Sequence, residues 1–118
     1  GYLNNSMIDS LQATKNHKNV NILKNYGNSD ITYKINFNLM KKISKYLNLK
    51  SQGITTQRNF LLKLGILERA DIISKNLPFS KKTDIYFRLK RLIDKNQMGE
   101  LFKVMLITNK KTKFQIGF

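Results

Sequence analysis

An α/β fold is predicted, and three observations predict it. Ile31, Tyr33, Ile35 and Phe37 alternate with Thr32, Lys34 and Asn36, the period-two pattern of an extended segment with one covered face. Directly behind it, Leu39, Met40, Ile43, Tyr46 and Leu47 recur at helical spacing, with Lys41, Lys42 and Lys45 on the opposite side. Far downstream, residues 101–107 are nearly continuous apolar sequence at strand length, the pattern of a strand covered on both faces in the interior of a sheet.

The elements follow in order. Residues 1–30 are polar and Asn-rich, with short apolar pieces at 11–13 and 20–23 and a turn signal at 25–28, so the expectation is irregular structure with one short strand at most. The alternating segment follows, and Asn36 stands where a helix N-cap belongs. The amphipathic helix runs over 37–48, and Asn48 can close it in a left-handed turn. Residues 51–56 are poor in apolar side chains, yet Ile54, Thr55 and Thr56 are all β-branched, as in a strand. Thr55 or Thr56 can cap a helix over 58–64 that Gly65 ends. A second helical run places Ile66, Ala70 and Ile73 on one face, and Pro78 stops it. A third spans about 80–95, with Ile85, Leu89, Leu92 and Ile93 inward and Asp84 and Arg88 as an i,i+4 surface pair. Residues 97–100 make a turn before the last strand, for which few neighbours are evident within these 118 residues.

Composition sets further bounds. The 118 residues suffice for one domain, and the absence of cysteine excludes a disulfide framework, a Cys-based zinc site and a thiol nucleophile. No apolar run approaches the roughly 18–20 residues of a membrane span, and the start lacks the form of a signal peptide, so a soluble protein is expected. The net charge of +15 raises the question of nucleic acid, but 18 of the 22 basic residues are Lys, whereas base reading favours the Arg fork. Lys, Asn and Ile make up 45 of 118 residues, all from A- and T-rich codons, so a genomic compositional bias can supply the charge without selection for an anionic partner. Any nucleic-acid binding should then be non-specific.

Catalytic constellations are scarce. His17 is the single histidine, in a polar segment with no partner for a metal set, and reads as a solvated or hydrogen-bonded side chain. The acidic residues show no paired spacing, no serine sits in a nucleophile elbow, and no glycine-rich phosphate loop occurs. Phe37, Phe60, Phe87 and Phe102 are spaced one per element, as core residues are. Motif chemistry alone names no enzyme.

Four blocks nonetheless resemble a known family. Residues 98–107, MGELFKVMLI, resemble the "MGxLFKVL" ending of the MidA-like methyltransferases, which include a mitochondrial arginine methyltransferase of complex I assembly. Residues 56–66, TQRNFLLKLGI, are similar to that family's "TQGxFLLxLGI", and residues 30–37, DITYKINF, to its "DLTAHVDF". Ser10, Leu11, Gln12, Ala13 and His17 are similar to "TLQAxxxH", and Gly1 and Tyr2 to the end of "DYGY".

The resemblance implies the C-terminal part of a Rossmann-like class I sheet: a late helix and penultimate strand over 37–57, inserted helices over 58–95, and a last antiparallel strand within 96–118, with 1–36 irregular or extended. S-adenosylmethionine would be held by a glycine-rich turn in an N-terminal half lying before Gly1, so the chain alone is expected to bind no cofactor, and its first partner would be that half. The implied activity is methyl transfer to a protein, at an arginine, in the bacterial cytoplasm or alternatively the mitochondrial matrix. Family-motif positions near the active site would be Gly1, Tyr2, Gln12, His17 and Asp30. Lys34 departs from the family His and puts any role of that imidazole in doubt, whereas Asn36 for Asp keeps a capping side chain. Tyr26-Gly27 keeps the glycine of a family "PG" turn. The alternative is a non-enzymatic interaction module or a basic nucleic-acid binder.

Overall fold

The computed structural model describes residues 11–16, 18–24, 27–113 and 116–118. Contacts divide the chain into two units, Gly1–Ile43 and Ser44–Phe118.

In the first unit three short strands, β1 (Leu11–Lys15), β2 (Lys18–Val20) and β3 (Asp30–Tyr33), form an antiparallel sheet in the order β2-β1-β3. This replaces the expected irregular stretch. Leu11 to Lys15 alternates only faintly because its inward residue is a small Ala, and Lys18 to Val20 is too short and polar to register as a strand. Ala13 stands opposite Val20 on one side and Ile31 on the other, and Leu11 opposite Tyr33. Cross-strand partners share a face, so these residues form an apolar side and Gln12, Thr14, Asn19, Asp30 and Thr32 a polar one. The apolar side is not covered as the alternation predicts: Ala13 is buried, but Ile31 and Ile35 are exposed and Tyr33 is 62% exposed. Asn16 adopts a positive φ of 51° and Gly27 one of 76°, both in left-handed turn positions. Beyond β2 the Asn21 side-chain oxygen accepts from the backbone N–H groups of Leu23 and Lys24, closing an Asx turn.

Helix α1 (Phe37–Tyr46) is capped at both ends by the residues the sequence assigns. Asn36 Oδ1 accepts from the Leu39 N–H at 3.0 Å, satisfying one orphan donor. At the other end Asn48 has φ 57°, its N–H donates to Lys45 O and that of Leu49 donates to Ser44 O at 2.8 Å. Those paired bonds make a Schellman closure. Phe37 and Ser44 are buried, whereas Leu39, Met40, Ile43 and Leu47 are exposed and Tyr46 is 87% exposed.

In the second unit β4 (Lys50–Thr56) pairs antiparallel with β5 (Lys103–Thr108). Ser51 faces Ile107 and Ile54 faces Met105, so β4 carries one extra residue between them, a bulge at Gln52-Gly53. The bulge rephases the strand, setting Ser51 and Ile54 on one side. Thr56 ends β4 and caps α2 (Gln57–Lys63), its hydroxyl accepting from the Asn59 N–H. Gly65, at φ 75°, ends the turn after α2 and starts α3 (Ile66–Ser74). Helix α4 (Phe79–Ile93) follows Pro78, and the short α5 (Met98–Leu101) precedes β5. Leu101 and Phe102 thus belong to α5 and its cap rather than to the strand. Val104 to Thr108 are half-buried, with β4 as the one partner of β5 among the described residues, so the full two-sided covering expected of 101–107 is not reached. Ala70, Ser74 and Leu89 are buried in α3 and α4, while Ile73 is exposed, departing from the inward position its spacing predicts. No helix among the described residues is long and apolar enough to cross a membrane.

Candidate functional site

Of the sequence-predicted site residues, Gln12 and Asp30 are described; Gly1, Tyr2 and His17 lie outside the described residues. Gln12 sits opposite Thr32, and Asp30 opposite Thr14, so the two are diagonal neighbours on the polar face of the first sheet. Gln12 lines a shallow hollow of about 210 Å³ with Asn19, Asn21 and Ile22. Asp30 lines another, of about 310 Å³, with Thr14, Asn16, Asn28 and Ser29. The structure therefore places both residues on one surface but in separate hollows. Lys34 is exposed in the connection from β3 to α1. Among the described residues no group of three His, Asp or Glu side chains is placed to hold a metal ion.

A class I cofactor site needs a glycine-rich turn from strand to helix, where backbone N–H groups approach the ligand. The described strand-to-helix junctions have no such glycine: β3 leads to α1 through Lys34, Ile35 and Asn36, and β4 runs into α2 at Thr56 and Gln57. Gly65 joins two helices, and Gly99 and Gly117 are packed against protein atoms. Among the described residues, then, no strand-to-helix junction supplies such a turn.

The second pair of family-like blocks meets at the end of α4. The last carbonyls of a helix lack intrahelical donors. Here Gln57 Nε2 donates to Leu92 O at 2.9 Å and an Arg58 guanidinium nitrogen donates to Ile93 O at 2.7 Å. The Arg58 charge also suits the negative end of the helix dipole. Gly99 N–H donates to Asp94 O, and an added Cβ at Gly99 would stand 2.5 Å from the Ile93 carbonyl oxygen. The Gln57 N–H donates to Phe102 O at 2.9 Å, tying the start of α2 to the entry of β5. The sequence holds the types for this cap but no local pattern announces it, because donors and acceptors lie 35 residues apart.

A further polar link joins α3 to α4, where the Tyr86 hydroxyl donates to Asp71 Oδ1 at 2.6 Å. That bond to a carboxylate raises the Tyr86 pKa above the usual tyrosine range, since a phenolate would face a second anion.

The second unit thus pairs β4 with β5 antiparallel and inserts helices α2 to α5 between them, an arrangement consistent with part of a methyltransferase fold. Residues 1–55 match the model of a family described as "putative S-adenosyl-L-methionine-dependent methyltransferase". Over 101 residues the chain is 26% identical to the zebrafish (Danio rerio) mitochondrial protein arginine methyltransferase NDUFAF7, covering 86% of this chain and 24% of that protein. Two solved COG1565 superfamily structures from Burkholderia thailandensis have the same fold over 92% of the chain. One has a TM-score of 0.77 at 22% identity. The other, described as a probable methyltransferase bound to S-adenosylhomocysteine, has a TM-score of 0.73 at 21% identity. Along most of its length the chain is thus similar to S-adenosylmethionine-dependent methyltransferases of the MidA-like family. It spans about a quarter of the curated relative's length and 28–29% of the two solved chains.

Proposed function

We propose that the chain forms the C-terminal segment of a methyltransferase that modifies arginine in a protein, with the cofactor held by an N-terminal half on residues beyond these 118. The observation that carries this reading is the fold match over 92% of the chain but 29% of a solved structure, together with family-like blocks in order along the sequence. The arginine acceptor is supported by the likeness to the zebrafish enzyme. In this reading the chain contributes β5 to close the sheet and the polar face bearing Gln12 and Asp30 to the neighbourhood of the acceptor. A carboxylate such as Asp30 can accept paired hydrogen bonds from a guanidinium and fix its orientation.

The test is an exchange. This chain replaces the segment it matches in the zebrafish enzyme, and the chimaera is assayed for S-adenosylhomocysteine binding and for arginine methylation. Both should be retained. A folded chimaera that binds the nucleoside but methylates no arginine would remove the acceptor assignment, and one that folds without binding it would remove the placement of the chain.

A further inference from the structure

We draw no further inference here: the strongest candidate, the exposed aromatic patch that Phe79, Tyr86 and Phe87 form on α4, is an unpartnered apolar face, and nothing in the structure shows what covers it.

Discussion

Gly99 shows how much a single position can decide. Its Cα faces the backbone of Ile93 and Asp94 so closely that a methyl group would overlap a carbonyl oxygen. Gly99→Ala must push α5 away from the end of α4, and a loss of about 2–4 kcal/mol is expected, measured by urea unfolding. Thr108 presents the opposite case. Its buried hydroxyl has no hydrogen-bond partner, which leaves a desolvated polar atom at the end of β5. Thr108→Val removes that atom at nearly the same shape and should raise stability by about 1 kcal/mol in the same assay. A drop in stability would show that the hydroxyl is satisfied in solution. Neither position stands out in a linear reading: the cost at Gly99 comes from backbone five and six residues earlier, and that at Thr108 from lacking a partner in space.

Among the elements, α4 depends on side chains from α2 for its C-terminal closure. Arg58→Met keeps the aliphatic stem and removes the donor to Ile93 O, so about 1–3 kcal/mol should be lost, while an Arg91→Met control on the exposed side changes little. The Tyr86–Asp71 link should appear in alkali. A phenol whose folded pKa is raised contributes stability that is fully present below its unfolded value, near 10, and is lost as pH rises through the folded value. The difference in melting temperature between the wild type and Tyr86→Phe should therefore be constant to about pH 9 and fall above 10. A flat difference through pH 11 would dissociate the bond from stability. Helices and caps were legible because they are local: Asn36, Asn48, Thr56 and Gly65 all act where their types predict. The strands β1 and β2 were not, since their pairing is carried by the register around Ala13 rather than by hydrophobic alternation. Gln12 and Asp30 were legible as family-like positions, but their separation into two hollows depends on strand pairing.

At the scale of the whole molecule, apolar surface exceeds what these residues cover. Leu39, Ile43, Tyr46 and Leu47 of the α1 region are exposed, as are Ile31 and Tyr33 of β3. Such surface marks an interface or an aggregation hazard. If an N-terminal half completes the sheet, the chain alone should melt broadly and bind a hydrophobic dye, and should become cooperative when expressed with that half. Val104→Asp should abolish the gain, because a charge on the sheet face opposite Thr55 would be buried in the assembled protein. A sharp monomeric transition unaltered by the other half would establish an autonomous domain instead.

The pairing of β4 with β5 also has a temporal side. Thr56 is synthesised almost fifty residues before Lys103, its partner in the register. At roughly 5–20 residues per second the ribosome takes about 2–10 s to cover that distance, far longer than helices α2 to α4 need to form. Throughout that interval β4 waits with an open edge, and its bulge at Gln52-Gly53 breaks the flat run of donors and acceptors on which a foreign strand could dock. The irregularity that rephases the finished strand thereby shields the unfinished one.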